Sequence, residues 1–531
     1  MSSSIDFLII GVYIALVLFI GVWVSRKERN STDYFLAGRD VAWWAIGASL
    51  FAANISSEHF IGLAGAGASG GLAVGHFEWL ASLILLLLAW VFVPFYLSSK
   101  VFTVPEFLEK RFDPRSRKYL ATVSVIAYVM TKISVTLYAG GVVLNSVFGW
   151  DMMTSALILV IITGIYTVIG GLKAVIYTDV IQSAVLILGA LLLTILGFDR
   201  VGGWDNMVAK LDPSYLDMWK SSDDPAYPWT GILFGAPILG IWYWCTDQFI
   251  VQRVLSAKNI PNAQRGAIFA GFLKLLPVFI LVLPGLIAKA LNPAIKGDEA
   301  YPWLVQEILP TGVRGIVMAS LLAALMSSLA SCFNSASTLF TIDYYKKIRP
   351  DASESKLIMV GRLSTVALVI IGILWVPLIP YISSQVWIYL QSVQAYISPP
   401  IAAVFLMGIF WPRMNANGAI AGLFTGLVIG FTRLFGELYV KSQGADWGPM
   451  HWFIDMNFLH FATFLFVISL IIQAVVSLAT AAPDPQVVAL LTWKGRSRVI
   501  HDLTTGLYER TNIILSVLLV ALVLAGWIYF S

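Results

Sequence analysis

The sequence predicts an all-α polytopic membrane protein. Of its 531 residues, 58% are hydrophobic and only 12% are charged, whereas soluble globular proteins carry about 25% charged residues. The hydrophobic residues gather into runs of about 20 or more, the length that a helix needs to cross a bilayer. The two cysteines, Cys245 and Cys332, lie within such runs, so no disulfide framework is expected. A chain built from soluble domains is excluded.

Fourteen segments have the length and composition of transmembrane helices. They span residues 5–25, 43–74, 77–98, 117–147, 151–169, 174–197, 229–252, 265–289, 313–345, 358–380, 384–410, 417–437, 456–480 and 510–530. With the N-terminus outside, the inner loops carry about three times as many Lys and Arg residues as the outer loops, as the positive-inside rule requires. We therefore expect a multi-pass protein of the plasma membrane with both termini outside.

The second segment, 43–74, is interrupted halfway along. It loses its large aliphatic side chains there and contains the polar run from Asn54 to His59. Non-helical backbone at membrane depth is tolerated only where it is buried in protein or lines a cavity, and there it can coordinate an ion or a polar solute. The segment from Ala52 to His59 is therefore predicted to form a solute and ion site.

A similar interruption occurs in the seventh helix, where Gly235, Pro237 and Gly240 precede three aromatic residues. Interrupted helices at matching places are typical of transporters with inverted repeats. We predict two five-helix repeats, helices 2–6 and 7–11. The predicted boundaries are 1–42 for the first helix and an inner loop, 43–197 for the first repeat, 198–228 for an outer loop, 229–410 for the second repeat and 411–531 for peripheral helices 12–14.

Small residues recur every four positions between Ala319 and Ser331 and form one face of the ninth helix. Such a face allows close packing between membrane helices. It also carries Ser327 and Ser328, whose hydroxyls could join backbone carbonyls around a hard cation, which prefers oxygen ligands. Both interpretations stay open, and both can hold for the same face.

Several polar residues lie within or at the ends of the predicted helices. Lys274 is an intramembrane ammonium, which indicates a ligand-facing role unless a permanent partner such as Asp247 neutralises it. Glu78 opens the third helix, where it is either a site residue or a solvated helix end. Gln391 either faces a ligand or forms an interhelical hydrogen bond. Together with Asn54 and His59, these residues supply donors and acceptors suited to a neutral polyhydroxylated solute.

Several long motifs resemble the sodium/solute symporter family, and most closely its sodium/glucose cotransporter branch. They are NISSEHFIGLAGAGASGG, HFEW, GLKAVIYTDVIQ, WYWCTDQFIVQRVLSAKN, LMSSLASCFNSASTLFTIDYY and SPPIAAVFLMGIFW. The similarity extends from the first helix to about residue 435. It implies a LeuT-like core of helices 2–11 that alternates in access around a central site.

The resemblance also implies roles for individual residues. The sodium ion would be held by backbone oxygens of Ala52, Ile55 and Ala324 and by the hydroxyls of Ser327 and Ser328. Sugar contacts would come from Asn54, His59, Glu78, Lys274 and Gln391. Tyr243, with Trp244 beside it, resembles an inner gate, and Leu63, Phe77 and Trp387 resemble an outer gate. Asp179 matches an acidic residue on the sodium exit route, and its alternative is a structural pair with Lys132.

Three positions depart from the family pattern. Ala330 replaces a threonine that accompanies a second sodium site, which favours one sodium per sugar. Ile388 and Gln394 flank Gln391 where some mammalian members have Asp and Thr, and Gly240 removes a polar side chain near the sugar. The identity of the sugar, glucose or galactose, therefore stays open.

The function expected from these features is sodium-coupled uptake of a neutral hexose, with a lipid bilayer and a small sugar as partners. The nearest alternative is a symporter of the same fold for an inositol, a sialic acid or an amino acid. A sodium channel or a sensor is a more distant one. The sequence contains no metal-ligand cluster, phosphate loop or nucleophile–base pair, so an enzyme is not expected, and a nucleic-acid partner is not expected either.

Overall fold

A computed structural model describes residues 4–25, 30–375, 386–443, 448–494 and 509–531, and within them the secondary structure is helical. The first half contains α1 (Ser4–Ser25), α2 (Ser31–Leu36), α3 (Trp43–Asn54), α4 (Ser57–Gly70), α5 (His76–Leu87), α6 (Val93–Ser98), α7 (Val104–Arg111), α8 (Pro114–Ala127), α9 (Ser134–Phe148), α10 (Met152–Val201), α11 (Trp204–Lys210), α12 (Trp229–Phe234), α13 (Ala236–Gly240) and α14 (Gln248–Leu255). The second half contains α15 (Ile260–Leu273), α16 (Leu283–Leu291), α17 (Ala300–Ile308), α18 (Val313–Thr338), α19 (Lys346–Ile348), α20 (Glu354–Trp375), α21 (Val386–Phe410), α22 (Ala416–Gln443), α23 (His451–Asp455), α24 (Phe458–Ala479), α25 (Pro485–Leu491) and α26 (Arg510–Tyr529).

Eleven helical stretches in the described ranges are long and apolar enough to cross a membrane. The predicted count of fourteen also includes 43–74, 151–169 and 229–252. The first and third of these are divided into shorter helices, and the second contributes an apolar helix of sub-spanning length, Met153–Ile165. Interrupted segments fall below the length of a continuous span, so the count of fourteen stays a prediction.

Burial is graded from the middle of the bundle to its periphery. In the span Val313–Ile348, which contains α18, 94% of the selected 18-residue apolar stretch is buried, whereas the corresponding share in Arg510–Tyr529 is only 17%. The peripheral helices expose large aliphatic and aromatic side chains along their outer faces. Such extended apolar surface is unfavourable in water and suits contact with lipid chains. The described structure is therefore that of a multi-pass membrane protein.

The break in the second predicted span is present. Helix α3 ends at Asn54 and α4 begins at Ser57, and the intervening Ile55 and Ser56 have extended backbone, with φ/ψ of −76°/112° and −131°/−167°. The N-cap Ser56 forms a capping box with His59, which stabilises the new helix start. Both helices are buried at the break, so the polar backbone there faces protein and a cavity.

The break in the seventh predicted span lies later than predicted. Gly235, Pro237 and Gly240 remain within helical backbone, and a π-helical turn follows from Ile241 to Thr246. The chain leaves the helix at Asp247, whose φ/ψ is −83°/126° and whose side chain caps α14. Pro237 lies at the start of α13, where a proline costs no hydrogen bond. Asp247 is the N-cap residue of α14 and therefore marks where a new helix begins.

Helix α10 joins the fifth and sixth predicted spans. It bends at Gly171, whose φ of 48° and ψ of −152° lie outside the helical region. A Cβ atom at this position would lie 2.4 Å from the carbonyl oxygen of Tyr34. Both the positive φ and the close approach require glycine, so the bend between the two spans is built into the sequence.

Candidate functional site

Residues that flank the break after α3 and residues of the π-helical turn from Ile241 to Thr246 line the same cavity. The cavity has about 580 Å3 of space not filled by atoms, part of it open to solvent. Its lining contains Asn54, Glu58, His59, Phe77, Glu78, Leu80, Ala81, Ile84, Lys132, Ala236, Leu239, Gly240, Tyr243, Trp244, Lys274, Leu390, Gln391 and Gln394. All five residues predicted to contact the sugar are among them, together with Tyr243 and Trp244 of the predicted inner gate.

Lys274 is the centre of the polar network in this cavity. Helix α15 ends at Leu273, and Lys274 is its C-cap residue. The Lys274 Nζ donates to Asn54 Oδ1 at 2.6 Å and to the carboxylate of Glu78. Asn54 is the last residue of α3, and Glu78 lies in the first turn of α5. The Lys274 side chain therefore connects the end of α15 to two other helices of the bundle.

The same network extends to both breaks. His59 Nε2 lies 3.7 Å from Glu78 Oε1, and Asn54 Nδ2 donates to the Tyr243 hydroxyl at 3.1 Å. The network thus joins the break after α3 to the π-helical turn that contains Tyr243. Because buried polar groups lose water, each needs such partners, and the network fixes the orientation of the side chains in it.

Charge in the cavity is balanced among the lining residues. The lining contains two lysines, Lys132 and Lys274, and two glutamates, Glu58 and Glu78, and Lys274 pairs directly with Glu78. Lys132 Nζ also lies 4.0 Å from the centre of the Tyr243 ring, a cation–π contact. A cavity with compensated charges suits an uncharged solute, since an ionic solute would leave one charge without a partner.

The structure bears on two of the open alternatives for these residues. Lys274 has a carboxylate partner, as its structural alternative requires, but the partner is Glu78 and not Asp247, whose carboxylate accepts a hydrogen bond from Tyr128. Glu78 is not a solvated helix end, because it is only 2% exposed. The packing of α5 against α15 buries the start of α5 and brings the two charges together.

Of the residues predicted to hold sodium, Ser328 contacts the break after α3 and Ser327 contacts Asp179. The Ser328 hydroxyl donates to the carbonyl oxygen of Ala53 at 3.0 Å, and the Ser327 hydroxyl donates to Asp179 Oδ1 at 2.6 Å. The other three predicted ligands are fully buried: Ala52, Ile55 and Ala324. Each serine hydroxyl that donates its proton keeps lone pairs that a hard cation can use.

The break also changes the surroundings of the Ala52 carbonyl. In a continuous helix the N–H of Ser56 would bond to it, but that N–H is directed at Nδ1 of His59, at 3.4 Å. The break therefore redirects the donor that would otherwise satisfy the helix carbonyl. Carbonyl and hydroxyl oxygens are the ligands that a sodium ion, as a transported substrate, would require.

Asp179 does not pair with Lys132, so that alternative is wrong. Its Oδ2 lies 3.1 Å from Arg253 Nη2 and accepts a hydrogen bond from the Ser49 hydroxyl at 2.5 Å. The side chains of Asp179 and Arg253 are both fully buried. Lys132 instead projects toward Tyr243, because the π-helical turn that contains it places it on the cavity side of the bundle.

The predicted gate residues occupy different places. Tyr243 and Trp244 pack edge to face, with ring centres 5.1 Å apart, and line the cavity. Phe77 also lines it. Leu63 is fully buried in α4 and is not among the lining residues. Trp387 belongs to α21, and its side chain is outside the described part of the structure.

The lining residues Glu58, Lys132 and Gln394 are not among the predicted solute contacts. The sequence alone could have identified Lys132 as a site residue, because an ammonium in the middle of an apolar segment indicates function. Gln394 lies three residues after Gln391, so both side chains share one face of α21. Glu58 belongs to the polar run Asn54 to His59 that is predicted to form the site, although no contact is assigned to it individually.

Comparisons with known proteins agree with this geometry. The model of the sodium:solute symporter family matches residues 34–426. Sodium/glucose cotransporter 4 of Danio rerio is 42% identical, with 93% of this chain and 82% of that protein covered. Sodium/myo-inositol cotransporter 2 of Sus scrofa is 41% identical, with 94% and 79% covered.

A solved structure has the same fold. The chain of a Na+-coupled sialic acid symporter, in a substrate-bound outward-open state, superposes with a TM-score of 0.77 and 25% identity, covering 91% of this chain and 99% of that one. These relatives are transporters rather than enzymes. The match over most of the chain shows that this protein belongs to the sodium:solute symporter family and is a sodium-coupled solute symporter.

Proposed function

We propose that this protein couples inward sodium movement to uptake of a neutral hexose, with one sodium per sugar, in the plasma membrane and with both termini outside. The observation that carries the proposal is the charge-compensated cavity around Lys274 and Glu78. A hexose has no charge and many hydroxyls, so its recognition needs directed hydrogen bonds and no uncompensated ion.

The cavity offers these bonds from several directions. Amide donors and acceptors come from Asn54, Gln391 and Gln394, and the ion pair around Lys274 adds charge-assisted ones. The aromatic rings of the π-helical turn 241–246 provide apolar surface for the C–H face of a sugar ring. Polar and apolar walls together favour a pyranose over a linear or purely apolar solute.

Coupling would pass through the break after α3. On the sodium side, Ser328 bonds to the carbonyl of Ala53, and on the sugar side the next residue, Asn54, bonds to Lys274 and Tyr243. Sodium that orders this segment would also position Asn54 for the sugar. Each ligand would then favour the same conformation, which is the thermodynamic requirement for symport.

Alternating access would move two inverted repeats, 43–197 and 229–410, around this site. The outer loop 198–228 and the peripheral segment 411–531 would stay outside the moving core. Residues beside the break after α3 and residues of the π-helical turn 241–246 line the same cavity, which supports this arrangement.

Gates and an ion path complete the proposed cycle. Tyr243 would close the inner path, while Leu63, Phe77 and Trp387 would close the outer one. Asp179 would receive sodium on its way out, and the hydrogen bond that its carboxylate accepts from Ser327 supports this role. Solute and ion would then leave toward the same side.

One sodium supplies enough free energy for uptake. A monovalent cation crossing 100 mV releases about 2.3 kcal/mol, and a tenfold concentration gradient adds about 1.4 kcal/mol. Their sum supports roughly 500-fold accumulation of a neutral solute. Ala330 favours this stoichiometry, because it places a methyl group where a second hydroxyl would assist another sodium.

A second candidate solute is an inositol. It is also neutral and polyhydroxylated, and one relative is named as a sodium/myo-inositol cotransporter. A sialic acid or another carboxylate fits less well, because Lys274 is already paired with Glu78 and the cavity lining holds as many glutamates as lysines. Direct competition between sugars and inositols separates these candidates.

The test is uptake of radiolabelled glucose and galactose by proteoliposomes, with and without an inward sodium gradient. We expect sodium-dependent accumulation, competition by the other hexose, weaker competition by myo-inositol, and one charge moved per sugar. Sodium current without accumulation would contradict symport. A charge-to-sugar ratio of two would contradict the role given to Ala330.

Replacement of Gln391 by alanine should raise the sugar concentration for half-maximal uptake by up to about tenfold. The reason is the loss of a buried amide that bonds the sugar, since each such bond contributes about 0.5–1.5 kcal/mol. Sodium binding should persist, because Gln391 is not among the residues around the break after α3. The measurement is the sugar dependence of uptake at saturating sodium.

The matched control is Gln486→Ala, which removes the same side chain from an exposed position on α25. It should leave the sugar dependence unchanged. Equal loss of sodium and sugar binding in Gln391→Ala would show that this residue supports the fold rather than the solute.

A further inference from the structure

Outside the central cavity, three loops on the predicted inner side enclose a second cavity, which we call the inner basic pocket. It has about 1270 Å3 of space not filled by atoms, part of it open to solvent. Its wall contains Arg39, Lys100 and Lys258, and none of the described residues that line it is acidic. Three cations in one concave surface favour an anionic ligand.

Hydrogen bonds to the backbone hold the three loops together. Arg39 Nη2 donates to the carbonyl oxygen of Val101 at 2.8 Å. The N–H of Lys258 donates to the carbonyl oxygen of Val41 at 3.3 Å, and that of Val41 donates to the carbonyl oxygen of Ser256 at 3.0 Å. The three cations therefore lie on loops that are hydrogen-bonded to one another, and not on independent flexible segments.

The backbone of these loops is strained. In the described ranges, three non-glycine residues have positive φ, Ala37 at 51°, Arg39 at 52° and Lys100 at 50°, and all three lie on the loops of the pocket. Residues with a Cβ rarely adopt this conformation, and such strain gathers at binding sites and switches. Two of the three cations are thus held in their positions against a local conformational cost.

The nearby carboxylates compensate the pocket only in part. Asp40 lies 3.4 Å from Lys258, but its side chain is 81% exposed, and Glu106 is the acidic neighbour of Arg39. Partial burial lowers the pKa of Arg39 from its usual value, although Glu106 opposes this effect. A bound anion would favour the charged guanidinium. Helix α15 also begins at the pocket, and its N-terminal dipole has the same positive sign.

The pocket lies where two candidate membrane spans end, which is where lipid headgroups are expected. It adjoins the ends of two membrane spans, Glu58–Ser98 and Ile260–Leu291. Part of its wall is apolar, formed by Leu97, Phe102 and Ile260. A soluble anion needs only the cations, whereas a phospholipid uses both the charged part and the apolar part of such a wall.

We propose that the inner basic pocket binds the phosphate headgroup of an anionic phospholipid from the inner leaflet. Its three cations would contact the phosphate, and Leu97, Phe102 and Ile260 would contact the glycerol and the upper acyl chains. The bound lipid would bridge the loop before α3, the loop after α6 and the start of α15. This site is separate from solute binding, so its test does not depend on the identity of the solute.

The test is native mass spectrometry of the full-length protein with phosphatidylglycerol and phosphatidylcholine. We expect tighter binding of phosphatidylglycerol, weakened in the variant Lys100→Asn/Lys258→Gln by about fivefold for each charge removed. Asparagine tolerates the left-handed backbone at position 100. Arg39 is left unchanged because its side chain ties two loops together. If the double variant does not fold, Lys258→Gln alone should show an effect of about fivefold.

The matched control is Lys118→Asn/Lys356→Gln, which removes two exposed lysines from inner segments outside the pocket. It should leave phosphatidylglycerol binding unchanged. Equal binding of the two lipids, or an equal loss in the control variant, would overturn the proposal. Displacement of phosphatidylglycerol by millimolar inorganic phosphate would also overturn it, because a soluble phosphate would then be the ligand.

Discussion

Replacement of Lys274 by alanine should abolish sodium-driven sugar uptake, with a loss of about 100-fold or more. The change removes a donor to the sugar and leaves Glu78 buried without its cation. Breaking one side of a buried ion pair costs about 3–5 kcal/mol. It also takes away the donor to Asn54, which lies at the break between the two sites. Uptake in proteoliposomes at saturating sodium measures the effect.

A double variant separates the solute role of Lys274 from its structural role. In Lys274→Gln/Glu78→Gln both charges are gone, so the folded protein should recover its thermal stability while sugar uptake stays low. Lys289→Ala is the matched control, since this lysine lies near the C-terminal end of the same span and donates to the carbonyl oxygen of Pro293. Recovery of uptake together with stability would contradict a direct role in sugar binding.

Replacement of Ser328 by alanine should raise the sodium concentration for half-maximal uptake at least about tenfold. A hydroxyl that contacts a charged group contributes about 1.5–3 kcal/mol, which corresponds to roughly 10–100-fold in affinity. The change also removes the donor to the Ala53 carbonyl at the break. Maximal uptake should recover at high sodium, because the sugar contacts remain.

The control for this variant is Ser320→Ala, on the same helix. The Ser320 hydroxyl donates to the carbonyl oxygen of Val317 within its own turn, away from the break. Its removal should leave the sodium dependence as it is. If Ser328→Ala itself shows unchanged sodium dependence, Ser328 is not a sodium ligand and the site lies elsewhere.

The break after α3 can be predicted because its signal is local. A polar run inside an apolar segment is visible in the sequence, and the physics of the bilayer leaves few structures that can accommodate it. The break at Asp247 lies later than the sequence predicts. Glycine and proline mark positions where a helix can bend, but the helix continues through them, and the capping aspartate decides where it ends.

The pairing of charges cannot be predicted in the same way. Asp247 is the nearer carboxylate to Lys274 along the chain, yet the partner of Lys274 is Glu78, 196 residues away. Asp179 likewise pairs with Arg253, 74 residues further along the chain. The sequence shows which charged residues lie in apolar segments. It does not show which of them pair, because many different pairings are compatible with the same sequence.

The sequence by itself determined the membrane class of this protein, the interrupted second span and the set of polar residues available for a site. Only the tertiary structure decided which of these residues share a cavity and which neutralise one another. The physical reason is that the free energy of a buried charge depends on partners within a few ångströms. Those distances are set by how α3, α5, α15 and α18 pack, and no single segment of the chain contains that information.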